Sequence, residues 1–434
     1  MINTTSGRSN YRPLLIAEAA NPEWASVPLV GWSLARALLD RTDGHLVTQV
    51  RNRGAVLRAG LSEGVDVTFI DSEAVARPLH RLATMLTRGK AWTLNTAISA
   101  IAYYEFERLV WKRFERQLRA GKFDIVHRIT PLSPSIPSLL AGKCLTVGVP
   151  FVLGPLNGGV PWPKEFRSEQ HQEREWLAYL RSAYKLLPGY RSTREAASAI
   201  LIASRHTWNL ESARYHAKSI YLPENAVEPS RFSKVADVAD DGPLKVCFVG
   251  RLVPYKGVDM LLEAVLPLVH QGRVELDVVG DGPLMPRLRE MLSKNGNPAA
   301  IKLHGWVEHA KVQDILSSNH VLGFPSIREF GGGVVLEAMA LGVVPMIVDY
   351  AGPSELVSDD TGIKIPLGTR ESIIAGFRAR LTEVLGTRSA LRAMSVAGRL
   401  RIQTSFTWSA KATQILSVYD WVCGKTNQKP VILS

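Results

Sequence analysis

From Pro13 onward the chain repeats one pattern: a short, apolar, β-branched stretch, then a longer segment with helical spacing. "PLLIAEA" (13–19), "HLVTQV", "VDVTFI", "DIVHRIT" and "PFVLGP" are stretches of the first kind, and "SAILIAS" and "SIYLPEN" close the first half. Each is short and followed by Gly, Pro or polar residues, as buried strands are. Alternation of this kind predicts parallel sheets covered by helices. After the first strand, Ser26 is expected to cap a helix over "VPLVGWSLARALLD", with Pro28 in its first turn.

A polar stretch bounded by Pro and Gly, "EPSRFSKVADVADDGP" (228–243), reads as a linker, and beyond it the series restarts. "LKVCFVG", "VELDVVG", "IKLHGWV", "HVLGFPS" and "VVPMIVD" are the new strands. "KGVDMLLEAVLPLVH", "GPLMPRLREMLSKNG", "HAKVQDILSSN" and "GVVLEAMALG" are the helices between them. At 434 residues the chain is too long for one ordinary core. The expected division is 1–228, a linker at 229–243, and 244–405. A last amphipathic helix, "FTWSAKATQILSVYDWVCG", covers about 406–424. Two inserts interrupt the first half. Residues 91–121 carry apolar residues at helical spacing with Arg108, Lys112, Arg113, Arg116 and Arg119 towards the end. Residues 164–197 interleave aromatics and arginines.

Hydrophobic content of 46% with 21% charged residues is that of a soluble globular protein. The polar start has no apolar core, and no apolar run approaches the roughly 20 residues of a spanning helix, so a cytoplasmic protein is expected. Cys144, Cys247 and Cys423 are isolated and have no metal-ligand spacing. The net charge of +12 is uneven: residues 1–240 hold 31 Lys+Arg against 22 Asp+Glu. A basic first half suits nucleic acid, an anionic membrane surface or a phosphorylated substrate, or is simply a solvated surface.

The chemistry concentrates in "SIREFGGGVVLEAMALG" (326–342), where Glu329 and Glu337 bracket three glycines placed directly before a strong helix former. A helix N-terminus offers unpartnered backbone N–H groups and a partial positive charge, and glycines let an anion approach closely. Gly331, Gly332 and Gly333 fall between a strand and a helix starting near Val334, at the carboxyl end of a strand in an open sheet, where ligands bind. The pattern is neither GxGxxG nor a P-loop, so a dinucleotide enzyme or P-loop NTPase is not expected. Glu337, one turn into the helix, is placed to accept two hydroxyl hydrogen bonds, as from a ribose, and Glu329 to hold another polyol. A second device, "VGRLVPYKGV" (249–258), puts Arg251 and Lys256 after a strand, which suits a diphosphate.

At these residues the chain resembles the glycosyltransferases of family 4, or group 1 glycosyltransferases. The resemblance is carried by "VGRLVPYKG", "VVGDGPL", "LHGWV", the Glu329-to-Glu337 spacing, "EAMALGVVP" and "GPSELV", and covers nearly all of the C-terminal domain. It implies an α/β GT-B architecture: two facing Rossmann-like doubly wound domains with a C-terminal crossover helix. It implies that Arg251 and Lys256 hold the donor diphosphate and take part in catalysis, that Glu337 takes the ribose and Glu329 the donor sugar, and that Gly332 and Gly333 meet sugar or phosphate. Val307 would lie in the base-binding loop. In the first half the match is thinner: Gly31 corresponds to the glycine loop opening the first helix, and His127 to a histidine near the transferring sugar, with Arg128 its nearest competitor.

The chain departs from the family after Glu329, where Phe330 follows immediately and Gly331 takes the aromatic position, so the donor-sugar preference is open. The loop "GPLNGGVPWP" (154–163) is not a family feature, and either touches a ligand or is an ordinary connection. The resemblance implies transfer from a nucleotide-diphosphate sugar to a saccharide acceptor hydroxyl with retention, without cofactor or metal, in polysaccharide or surface-glycan assembly. The basic inserts suggest a lipid-linked acceptor and peripheral attachment to an anionic membrane face; no nucleic-acid partner is expected. The competing readings are an NDP-sugar epimerase of the same fold and a non-catalytic nucleotide-sugar or nucleic-acid binder.

Overall fold

The computed structural model describes residues 8–74, 77–78, 92–166, 183–236 and 241–432. The chain divides into two compact units: Met1–Gly159, Arg174–Glu224 and Lys411–Ser434 form one, and Val160–Glu173 with Asn225–Ala410 the other. Val160–Glu173 thus belongs to the second unit, although it lies within the span expected for the first domain. The expected linker and the insert at 164–197 each fall partly outside the described residues.

The first unit is built on β1 (Pro13–Ala17), β2 (His45–Gln49), β3 (Val67–Ile70), β4 (Ile125–Thr130), β5 (Phe151–Leu156), β6 (Ala199–Ile202) and β7 (Ser219–Tyr221). They form one parallel sheet in the order β3-β2-β1-β4-β5-β6-β7. β1, β4, β5 and β6 are buried at every position; β1, β5 and β6 accordingly read as unbroken apolar runs, whereas β4 also buries His127, Arg128 and Thr130. The insert after β3 contains a long helix, Trp92–Arg119. Its Tyr103, Phe106, Val110, Phe114 and Leu118 recur every three or four residues and enter the core. Arg108, Lys112, Arg113, Arg116 and Arg119 lie on its exposed side.

The helix Val27–Leu39 begins where expected, with Pro28 in its first turn. Ser26 holds the N-cap position but makes no side-chain cap hydrogen bond. A capping serine needs extended backbone to bring its hydroxyl to the first turn, and Ser26 has φ 65°. Its carbonyl instead accepts from the Val30 N–H at 3.1 Å.

The second unit holds β8 (Leu244–Val249), β9 (Val274–Val279), β10 (Ile301–Gly305), β11 (Val321–Phe324), β12 (Val344–Val348) and β13 (Ile363–Ile365). This sheet is also parallel, ordered β10-β9-β8-β11-β12-β13. The edge strand β10 alternates between covered and exposed positions, whereas β11 and β12 are wholly buried. The last helix, Trp408–Val422, begins in the second unit and continues into the first. Among the described residues no helix is long and apolar enough to cross a membrane. Cys144 and Cys247 are buried and unpaired, and Cys423 is half-buried.

Candidate functional site

In the second sheet the chain runs outward from β8 to β10, returns to place β11 beside β8, then runs outward the other way to β13. Where strand order reverses, the loops at the carboxyl ends part and leave a crevice. The loop after β8 carries Arg251 and Lys256, and the loop after β11 carries Glu329 and the glycines. Pairing of Val321 with Val246 and of Leu322 with Cys247 fixes the level at which these loops emerge. Both sequence devices therefore meet at one point, reached from strands that are not consecutive in the chain.

Their local geometry is tightly set. Gly257 ends the loop after β8 with φ 70° and serves as N-cap of the helix Val258–His270. A side chain there would meet the Pro325 carbonyl oxygen and Met260 Cε, each at 2.5 Å, so only glycine allows the two loops to close on each other. The Tyr255 carbonyl accepts from the Ile327 N–H at 2.9 Å and from Ser326 Oγ at 3.2 Å. These bonds bring the Lys256 ammonium onto a carboxylate oxygen of Glu329, an ion pair with side chains 16% and 20% exposed. The same ammonium lies 5.0 Å from the centroid of the Phe324 ring.

Gly332, with φ 58°, is the N-cap of the helix Gly333–Ala340. A Cβ built on Gly333 would have no heavy atom within 4 Å, so the helix start is open. The Val335 N–H donates to the Gly332 carbonyl at 2.9 Å, and the N–H groups of Gly333 and Val334 at the very start have no acceptor within the helix, an arrangement that suits an anion. Glu337 is half-buried one turn further on, and Val334 and Gly331 are half-buried near the helix start. Phe330 is 39% exposed, and Arg251 is exposed in the same loop as Lys256. Val307 follows the edge strand β10, three strand spacings from β11 or about 14 Å. The site thus offers cations, an open helix N-terminus and carboxylates along one row of strand ends. That combination has the chemistry to hold an anionic group beside a polyol.

In the first unit two expectations are corrected. His127 lies within β4, paired with Leu15 on β1 and Val152 on β5, and has no exposed surface. One ring nitrogen meets the Tyr419 hydroxyl at 2.8 Å and the other the Gly154 carbonyl at 2.8 Å. Burial pushes its pKa down to about 4, against the pull of the carbonyl. A neutral, enclosed imidazole with both nitrogens engaged is a core residue, so His127 leaves the catalytic set. Arg128, also fully buried, donates to the Pro131 carbonyl at 2.6 Å and the Ile136 carbonyl at 2.7 Å, holding the loop after β4. Gly31 lies inside the helix Val27–Leu39, not in a loop before it. A side chain there would collide with the Ala19 carbonyl, so this glycine serves the close approach of the helix to the end of β1.

The sequence reading missed a polar network at the carboxyl ends of β1 to β3. Arg51 ion-pairs with Glu18, and Gln49 Nε2 donates to Glu73 at 2.6 Å. Burial pushes the Glu18 carboxyl above the ordinary range, although Arg51 opposes it. No motif marks these residues; only the strand order β3-β2-β1 brings them together. Among the described residues no three His, Cys, Asp or Glu side chains cluster as metal ligands.

Residues 243–383 match the family model described as "Glycosyl transferases group 1". The alpha-D-kanosaminyltransferase of Streptomyces kanamyceticus is 32% identical over 129 residues, covering 29% of this chain and 33% of that protein. The alpha-maltose-1-phosphate synthase of Mycolicibacterium smegmatis is 27% identical over 304 residues, 63% of this chain and 74% of that one. The chain spans only about a third to a half of the length of most curated relatives it matches. The structure of Anabaena Alr3699/HepE in complex with UDP and glucose shares the fold, with TM-score 0.54 at 14% identity, covering 95% of this chain and 100% of that one. The second sheet and its β8/β11 switch point lie within the stretch, residues 243–383, that is similar to the group 1 glycosyltransferases.

Proposed function

We propose that this protein is a retaining glycosyltransferase that moves a sugar from a nucleotide-diphosphate sugar to a saccharide hydroxyl in polysaccharide or surface-glycan synthesis. The observation that carries the reading is the convergence of Lys256, Glu329 and the open N-terminus of the helix Gly333–Ala340 at one switch point. The relatives named for sugar transfer and the structural neighbour with UDP and glucose support it.

In this reading Arg251, Lys256 and the helix N-terminus bind the diphosphate, Glu337 the ribose and Glu329 the donor sugar. The backbone at Gly331 to Val334 meets sugar or phosphate beside Phe330, and the base lies towards Val307. One Glu329 oxygen meets Lys256, which leaves the other directed to a sugar hydroxyl. The bond from the anomeric carbon to the phosphate oxygen breaks, and its electron pair stays on the diphosphate. The cations and helix dipole stabilise that charge electrostatically. The acceptor oxygen bonds the anomeric carbon on the same face, and its proton passes to the leaving phosphate oxygen. No covalent nucleophile, cofactor or metal is invoked. The acceptor is recognised by the basic first unit, and a lipid-linked acceptor at an anionic membrane face fits the exposed arginines of the helix Trp92–Arg119.

The test is thermal unfolding with UDP, GDP and ADP, repeated for Lys256→Ala. Nucleotide at 100 times its dissociation constant adds roughly 2.7 kcal/mol of stability. A rise with one nucleotide, lost in the variant, is the expected result. No rise with any of the three in the wild-type protein would refute the donor assignment.

A further inference from the structure

We propose that Trp162, far from the site in sequence, is a positioning residue that ties the loops after β8, β11 and β12 into one edge of the donor site. Its ring is 8% exposed and meets Tyr255 edge-on, with centroids 6.1 Å apart and planes at 89°. The Arg328 guanidinium lies 5.1 Å from the Trp162 ring centroid and 5.8 Å from that of Phe330. Trp162 therefore touches the residue immediately before each member of the Lys256–Glu329 ion pair.

The backbone leading to it is engaged at the same place. Arg328 Nε donates to the Val160 carbonyl at 3.4 Å, and the Tyr350 hydroxyl to the Pro161 carbonyl at 3.0 Å. Tyr350 opens the short helix Ala351–Leu356, whose Gly352 N–H donates to the Glu329 carbonyl at 3.2 Å. Gly352 also has no room for a side chain, because Phe330's carbonyl lies against it. Glu329 is thus fixed from both sides, through Arg328 by the Val160–Trp162 segment and through its own carbonyl by Gly352. Ring and guanidinium contacts are well fitted to such positioning, because they hold orientation with few rotatable bonds and lose little freedom on docking. The segment comes from the connection after β5, so the donor loops are held by a piece of chain encoded with the first half.

What the loops hold rests on the proposed function; the tie between them does not. The experiment has two readouts on Trp162→Ala and Trp162→Phe. Amide hydrogen exchange without ligand reads the tie, and equilibrium dialysis with the nucleotide that wild-type protein binds reads its consequence. In Trp162→Ala the amides of Ile327 and Gly352 should exchange about ten-fold faster, the scale of one aromatic plus one cation–π contact, with β8 and β11 core amides unchanged. Nucleotide affinity should fall by a similar factor, and Trp162→Phe should recover most of both. If Trp162→Ala does not fold, Trp162→Phe and Tyr350→Phe carry the exchange measurement, with Tyr350→Phe expected to speed Gly352. Unchanged exchange at these amides, or unchanged affinity beside faster exchange, overturns the positioning role. Failure of wild-type protein to bind any nucleotide overturns the donor reading instead, while the exchange data still decide the tie.

Discussion

The buried ion pair between Arg194 and Glu211 in the first unit gives a quantitative test of how the loop after β4 is held. The two side chains are 2% and 3% exposed. Arg194 Nε approaches both Glu211 oxygens, at 3.0 and 2.9 Å, and Nη2 donates to the Pro134 carbonyl at 3.0 Å. The guanidinium also lies 3.6 Å from the Tyr190 ring centroid. Arg194→Met leaves a carboxylate buried without its partner, which costs about 3–5 kcal/mol. Adding Glu211→Leu removes the stranded charge, so the double variant should keep only the loss at Pro134 and Tyr190, about 1–2 kcal/mol. The two substitutions should therefore couple by about 2 kcal/mol or more in a double-mutant cycle. Urea unfolding followed by tryptophan fluorescence reads the midpoints. A single-variant cost below about 1 kcal/mol, or additive single and double variants, would falsify the view that this pair is desolvated and indispensable to its partner.

Gly257→Ala forces a left-handed residue to carry a Cβ against Pro325 and Met260. A loss of about 2–3 kcal/mol is expected from the backbone conformation plus the displaced carbonyl. Because Pro325 leads into the Glu329 loop, nucleotide affinity should fall with it; wild-type stability by urea titration would contradict the close approach. His127 supplies a pH signature. Its ordinary value is 6.5 and its folded value about 4, so the unfolded chain binds more protons in that window. The stability it contributes is present above pH 6.5 and lost as pH falls towards 4, up to about 3 kcal/mol. Denaturation midpoints of wild-type protein and His127→Gln should converge on acidification, and parallel curves across that range would count against a neutral, buried imidazole.

The strands were legible because in a parallel sheet covered on both faces every position wants an apolar residue. "PLLIA" and "VPMIV" show this directly, buried throughout. Lys256 and Glu329 were legible as separate devices, since a cation after one strand and a carboxylate beside a glycine run each have a local reason. The sequence could not place His127. A histidine near a strand end reads the same whether it faces a ligand or a tyrosine 292 residues away. Ser26 misled for a related reason: capping depends on a backbone angle as well as on residue type.

The chain alone therefore determined the α/β class, the run of strands and helices, and the residue types of the candidate site, because these follow from local periodicity and helix-end chemistry. Only the tertiary structure decided what meets what. The order β10-β9-β8-β11 brings Lys256 to Glu329, the end of the last helix seals His127, and a connection after β5 lays Trp162 against Tyr255 and Arg328. Those contacts join residues tens to hundreds of positions apart. Such contacts follow from which strands lie side by side, which local periodicity does not encode.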